Sequence, residues 1–361
     1  MAGVDLAAVA CRIASKGILA ADESTGTIGK RLEKHGLENN EGVRRAYREL
    51  YMTCPGLGQY LSGAILFKET LMQSSSRGTR FVDCLKAEGI APGIKLDEGL
   101  EPLPGGLPGE THTLGLAALA ASAARYAAAG AEFAKWRATL RIQAGGPSEA
   151  AVARNADELA EYAAVTQAAG LVPVVEPEIL IEGNHDIGRA GEVCQQVLSA
   201  TVAAMWRKGV LLDGALLKPQ MVLQGTEWSG PRPTPQEVAH HTVTSLRRVV
   251  PPAIPGILFL SGGQTEEEAT LNLQAINEEA QRLGRAPWAL TFSFGRALQH
   301  SVLTTWAADQ SQVGAAQAMA LALAEANFRA SRGQYSGPHP STASAQSLQE
   351  SFRGWRGAEG P

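Results

Sequence analysis

Short, mostly apolar runs alternate along the chain with longer stretches whose apolar residues recur at helical spacing. Eight runs stand out, at 17–20, 63–67, 93–96, 133–136, 171–175, 214–217, 256–260 and 289–293. Each begins at or just after a Gly or Pro, and their starts lie 30 to 46 residues apart. Runs of four or five apolar residues fit strands buried on both faces, as in a parallel sheet. A parallel crossover with its helix takes about 30 residues or more, which every spacing allows. The intervening stretches at 41–52, 117–129, 148–169, 191–208, 235–248 and 266–283 read as helices, and Gly130 and Gly170 supply two of the stops. Thr265 followed by three glutamates places acids where a helix dipole favours them. Eight strands alternating with helices predict a (β/α)8 TIM barrel ahead of an open doubly wound sheet. A last helix is expected over 315–330. After it, 331–361 is rich in Ser, Gly and Pro and reads as a mobile C-terminal tail, so one barrel domain is expected over 1–330.

Composition narrows the function. Of 361 residues 45% are hydrophobic and 19% charged, enough apolar material for one large core. The net charge of −4 argues against nucleic acid as the main partner, while leaving room for a local basic pocket. Four scattered cysteines (Cys11, Cys54, Cys84 and Cys194) form neither a disulfide framework nor a zinc motif, which favours a reducing compartment. No run approaches the ~18 apolar residues of a membrane span. The first twelve residues make a poor secretory signal. The cytoplasm is therefore expected, with a processed plastid form left open.

In a barrel, side chains at the C-terminal strand ends converge on one face. Here those positions bring Asp22, Lys68, Lys95 with Asp97, Lys135 with Arg137, Glu176 with Glu178, Lys218, the Ser261-Gly262-Gly263 loop, and Arg296. Lys95 and Lys135 lie inside their apolar runs, an odd place for a core residue. So many charges in one small volume need partners or a ligand. Lys218 ends an apolar run and precedes Pro219. A lysine is protonated at pH 7 unless desolvation or cations such as Lys135 free its amine. A free amine in a carbonyl pocket forms a Schiff base, and the iminium is an electron sink for carbon–carbon cleavage beside a ketone. Glu176 and Glu178 share a face if the chain is extended, and Pro177 biases it that way. Paired carboxylates beside lysines suit proton shuttling; a structural ion pair with Arg137 or Lys135 is the alternative for both, and weighs more for Glu178 than for Glu176. The two glycine loops, 261–263 and Gly295-Arg296, follow the seventh and eighth runs, the usual phosphate slots of a barrel. Asp22 offers a base. Ser24 and Thr27 offer a second phosphate contact with Lys95, or simply a helix cap.

These segments resemble class I fructose-1,6-bisphosphate aldolase, the metal-independent, Schiff-base type. The resemblance rests on Gly-Ile-Leu-Ala-Ala-Asp-Glu-Ser-Thr-Gly at 17–26, Gly-Ile-Lys-Leu-Asp at 93–97, Phe-Ala-Lys-Trp-Arg at 133–137 and Val-Glu-Pro-Glu-Ile-Leu at 175–180. Leu-Leu-Lys-Pro at 216–219, Leu-Ser-Gly-Gly-Gln at 260–264 and Phe-Gly-Arg-Ala-Leu at 294–298 continue it in family order. The family implies a barrel, usually a homotetramer, that cleaves fructose 1,6-bisphosphate to dihydroxyacetone phosphate and glyceraldehyde 3-phosphate without a cofactor or metal. It implies Lys218 as the Schiff-base lysine and Glu176 as the acid–base residue of its formation. Asp22 would meet the C4 hydroxyl or the carbon acid, Lys135 would orient the cleaved bond, and Arg137 and Lys95 would bind substrate. Ser261, Gly262, Gly263, Gly295 and Arg296 would hold the C1 phosphate, with Ser24 at the C6 end. Some family members also dock to cytoskeleton or a proton pump, which a retained enzyme would permit.

Many members end in a tyrosine that speeds proton exchange on the enamine. This chain ends at Pro361 and its tail holds only Tyr335, so slower exchange or a substitute base is expected. A metal-dependent aldolase is the rival enzyme. It would need a histidine cluster at the barrel mouth, yet the seven histidines are scattered except for His240-His241 in a helical stretch.

Overall fold

The computed structural model describes residues 4–341. Ten strands run in chain order: β1 (Gly17–Ala21), β2 (Leu61–Leu66), β3 (Ala91–Lys95), β4 (Leu100–Pro102), β5 (Thr111–Thr113), β6 (Phe133–Arg141), β7 (Val172–Leu180), β8 (Leu216–Leu217), β9 (Gly256–Phe259) and β10 (Ala289–Phe294). Eight of them close in the order β1-β10-β9-β8-β7-β6-β3-β2, all parallel. The expected TIM barrel is therefore the fold. β4 and β5 make a separate antiparallel pair between β3 and β6 that the apolar runs do not announce.

Twelve helices are described among these residues: α1 (Leu6–Ile13), α2 (Thr25–Lys34), α3 (Glu41–Met52), α4 (Lys68–Met72), α5 (Phe81–Ala87), α6 (Leu119–Ala128), α7 (Glu149–Ala168), α8 (Ile187–Arg207), α9 (Pro235–Val249), α10 (Glu266–Arg282), α11 (Arg296–Ala308) and α12 (Val313–Ala330). The acids after Thr265 do start a helix, and Thr265 and Glu268 cap each other reciprocally. Among the described residues no helix is long and apolar enough to cross a membrane.

Two apolar layers hold the barrel. The larger lies between strands and outer helices and takes in Trp136, Tyr162 and Phe292. The smaller lies inside, where Ile18, Ile65, Phe133, Val174, Leu216 and Leu258 meet Ala10 and Ile13 of α1. Helix α1 thus plugs the N-terminal end of the barrel, a task its short, Ala-rich sequence does not advertise.

Residues 331–341, where a tail was expected, lie along α10. The Tyr335 N–H donates to Gln274 Oε1 at 2.9 Å, and His339 Nε2 sits 3.0 Å from Thr270 Oγ1. Ser341 Oγ donates to Glu266 Oε2 at 2.5 Å. Hydrogen bonds rather than a hydrophobic stripe hold this stretch, which is why apolar periodicity misses it. The rest of the expected tail, 342–361, lies outside the described residues.

The interior leaves no room at one glycine. A Cβ on Gly93 would sit 2.3 Å from Cζ of Phe133. Overpacking of this kind costs about 1–3 kcal/mol. Gly93→Ala is expected to lower the unfolding free energy by that amount, read from urea denaturation by far-UV circular dichroism, and an unchanged midpoint would show that Phe133 can move aside.

Candidate active site

The strand alternation of period two decides which side chains point inward. On β1 the inner positions run Ile18, Ala20 and then Asp22. On β6 they run Phe133, Lys135, Arg137, and on β7 Val172, Val174, Glu176, Glu178. Each series is apolar in the lower layers and charged at the top. Strands β6 and β7 run longer than their apolar runs, so Lys135, Arg137, Glu176 and Glu178 lie within strands rather than beyond them. Their register places Lys95 beside Lys135, Arg137 beside Glu176, and Thr139 beside Glu178. The two glutamates do share a face.

Lys135 Nζ is the centre of this layer. It lies 2.9 Å from Asp22 Oδ2, 3.2 Å from Glu176 Oε2 and 3.5 Å from Asp97 Oδ2, and the residue is 3% exposed. The other oxygen of Glu176 is 3.2 Å from Lys218 Nζ, so one carboxylate bridges two amines. Lys95 pairs with Asp97 at 2.5 Å, and Arg137 with Glu178.

Burial by itself would raise the Asp22 pKa, but the Lys135, Lys218 and Lys95 cations outweigh it and hold this carboxyl far below the usual range. Glu178 follows the same logic: burial raises it, and Arg137, joined by Lys218 and Lys135, more than compensates. Lys135 is pulled down by burial but pushed well above its ordinary value by Asp22, Glu176 and Asp97.

Above this layer opens a cavity of about 740 Å³. Asp22, Ser24, Lys95, Lys135, Arg137, Glu176, Glu178, Lys218, Ser261, Gly262, Gly295 and Arg296 all line it, so nearly the whole expected set converges. Gly263 does not line it. Its φ of +77° and a would-be Cβ 1.7 Å from Ile181 Cδ1 make it the turn-former of the loop. Ser24 caps α2, accepting from Thr27 N at 3.2 Å, and also faces the cavity. Gln220, two residues past Lys218, donates from Nε2 to the Gly262 carbonyl at 2.9 Å and fixes the glycine loop.

Several lining residues escaped the strand-end reading. Lys30, Arg31 and Lys34 of α2 line the same cavity with Thr27. Their i, i+3, i+4, i+7 spacing is one helix face, a basic stripe visible in sequence had α2 been recognised. Arg31 is steered by Glu23 at 2.6 Å, whose other oxygen is held by buried Arg48 at 2.7 Å. Tyr126 of α6 also lines the wall. In all, nine Lys and Arg against six Asp and Glu line the cavity, a positive excess in a chain of net charge −4. Burial, with Arg31 adding repulsion, pulls the Arg296 guanidinium down to about 9, against the support of Glu178. An anion beside it would offset that penalty. His240 and His241 both lie on α9, away from this lining.

Fold and site together define a (β/α)8-barrel enzyme with an amine- and carboxylate-rich mouth. The family model described as fructose-bisphosphate aldolase class-I matches residues 5–353. Fructose-bisphosphate aldolase 4, cytosolic, of Arabidopsis thaliana is 52% identical over 89% of this chain and 81% of its own. The cytoplasmic isozyme of Cicer arietinum is 53% identical over 89% of this chain and 88% of its own. A solved fructose-bisphosphate aldolase from Plasmodium falciparum, in complex with TRAP and a small-molecule inhibitor, superposes with a TM-score of 0.89 at 49% identity, covering 92% of this chain and 95% of that one. The chain belongs to the class I fructose-bisphosphate aldolase family.

The ion-pair layer has a direct test. A carboxyl whose folded pKa is depressed adds stability that is complete above its unfolded value, here 3.8, and is lost as pH falls through the folded value. The Asp22 carboxyl carbon is therefore expected to show no NMR titration between about pH 7 and 4. Lys135→Met should bring its titration back into that window and cost about 3–5 kcal/mol, because three buried carboxylates lose their shared cation. An Asp22 signal that titrates normally in the unaltered protein would contradict the layer.

Proposed function

We propose that this site carries out reversible aldol cleavage of fructose 1,6-bisphosphate to dihydroxyacetone phosphate and glyceraldehyde 3-phosphate, with Lys218 as the Schiff-base lysine. The observation that carries the assignment is the Glu176 carboxylate set between Lys218 Nζ and Lys135 Nζ, 3.2 Å from each. The Lys218 amine adds to the C2 ketone. Glu176, 3.2 Å away, takes the proton that the Lys218 ammonium gives up to become that nucleophile and returns it to the departing hydroxyl of the carbinolamine, so that water leaves, the iminium forms and Glu176 is a carboxylate again. Asp22, ionised beside Lys135, accepts the C4 hydroxyl proton or serves the carbon acid. The C3–C4 bond breaks, its electrons pass into the iminium to give an enamine, and the aldehyde product is released. Protonation at C3 and hydrolysis then return dihydroxyacetone phosphate and the free amine. Lys135 orients the cleaved bond, and Arg137 and Lys95 bind the substrate's polar backbone.

The phosphates lie at opposite walls in this proposal. Ser261, the backbone of Gly262 and Gly295, and Arg296 at the start of α11 hold the C1 phosphate, while Gly263 shapes the loop. Ser24 and the basic face of α2 hold the C6 end. The positive excess of the lining suits a bisphosphate.

The relatives' names place them in the cytosol, and the same compartment is proposed for this chain. A homotetramer is proposed from the family habit. Trp206, 64% exposed, and Leu211, 49% exposed, lie close in sequence at the end of α8 and offer apolar surface to a second copy.

Borohydride reduction with fructose 1,6-bisphosphate, followed by peptide mapping, is expected to label Lys218. Lys218→Ala should lose activity by several orders of magnitude while remaining folded, since it removes the nucleophile and no apolar core group. A label on another lysine, or near-normal turnover of that variant, would overturn the assignment.

A further inference from the structure

A second cavity, of about 490 Å³, lies at the other end of the barrel. It is bounded by the residues just before β1, the start of β10, the C-terminal end of α10 and the segment after α12. We propose that it binds a small, hydroxyl-bearing phosphorylated metabolite, with the phosphate held between Arg285 and Arg332. The inference does not depend on the chemistry assigned to the upper site.

Three observations carry it. The lining holds these two arginines and no aspartate or glutamate, so its charge is of one sign. Among the described residues neither arginine forms an ion pair with a carboxylate, and Arg332 is instead fixed with its guanidinium 4.4 Å from the Phe328 ring centroid. Stacking of that kind pre-sets the planar fork that recognises phosphate.

Arg285 supplies the third. Its φ is +69°, the one left-handed non-glycine backbone among the described residues. A bulky side chain there costs about 1–2 kcal/mol relative to the ordinary region. The position closes α10, with Arg285 N donating to Ala280 O at 2.9 Å, a site where glycine would serve the turn at least as well. An arginine kept in that conformation at a cavity rim, where glycine would close the helix without strain, points to a use for its side chain.

The remaining wall suits the rest of such a ligand. Ser15, Gln281 and Gln334 present hydroxyl and amide groups, and the Trp288 ring gives an apolar side. The volume falls within the usual range for small-molecule sites. At the N-terminal end of a barrel, remote from the chemistry, an occupant acts by stabilising the fold it binds.

The test uses the enzyme after borohydride reduction in the presence of fructose 1,6-bisphosphate, which blocks Lys218 and the C1-phosphate half of the upper cavity. Equilibrium dialysis with radiolabelled glycerol 3-phosphate should then count, beyond the binding that survives in a variant lacking both Arg285 and Arg332, one site per chain, displaced by inorganic phosphate. Arg285→Gly keeps the left-handed turn and removes the cation, and Arg332→Gln removes the second. Each should weaken binding about tenfold or more, the loss of one charge-assisted contact. Both should retain full cleavage activity before reduction. Absence of that site, or an affinity in both variants equal to that of the unaltered protein, would overturn the proposal.

Discussion

One buried ammonium organises the working end of this molecule. Lys135 is 3% exposed and faces carboxylates delivered by three separate strands or strand ends: Asp22 after β1, Asp97 after β3 and Glu176 on β7. Taking a lysine out of water costs several kcal/mol, so the cation stays buried only because these oxygens replace its hydration. The geometry runs the other way as well. Three buried carboxylates around one point would repel each other without it. Cation and anions therefore fix one another across the barrel, and the position of Glu176 between two amines follows from that mutual need.

The charges are arranged in two zones. In the inner layer Lys95, Lys135, Arg137 and Lys218 are balanced by Asp22, Asp97, Glu176 and Glu178, so it can be buried without net charge. The positive excess lies outward, on α2 and at Arg296. In the proposed reaction a doubly phosphorylated sugar completes the outer zone and brings its carbon chain to the inner one. The distinction matters for the proposed catalysis: binding energy is collected at the phosphates, away from the groups that react. It also explains how a chain of net charge −4 presents an anion site, since the local sign at the mouth is opposite to the average.

Much of this was legible in the chain before any fold was drawn. Eight apolar runs gave the barrel its strand count, and the lysines inside two of them marked where the core turns into a site. That anomaly has a simple cause. Inner positions alternate with outer ones, so Lys95 and Lys135 stand one pleat above Gly93 and Phe133 on the same face. What escaped lacks such periodicity. Helix α1 is eight residues long, β4 and β5 have three each, and the β6 and β7 extensions carry charges that mask the strand pattern. The basic stripe of α2 was hidden because Gly26 and Gly29 weaken its helical signal. Segment 331–341 is held by Gln274, Thr270 and Glu266, polar contacts that only three-dimensional proximity can reveal.

The lower and upper ends of the barrel solve different problems with the same backbone. At the bottom, small inner residues and glycines make room for Phe133 and for α1, and the interior is apolar. At the top, the same alternation can host charges only because the layer beneath seals out water and the neighbouring strands supply counter-ions in register. A charged pair one pleat lower would have no access to substrate, and one pleat higher would be hydrated and weak. The site therefore occupies the one depth at which groups are dry enough to be strong and open enough to be reached. The gradient from Phe133 to Lys135 to Arg137 along a single strand is the sequence's record of that depth.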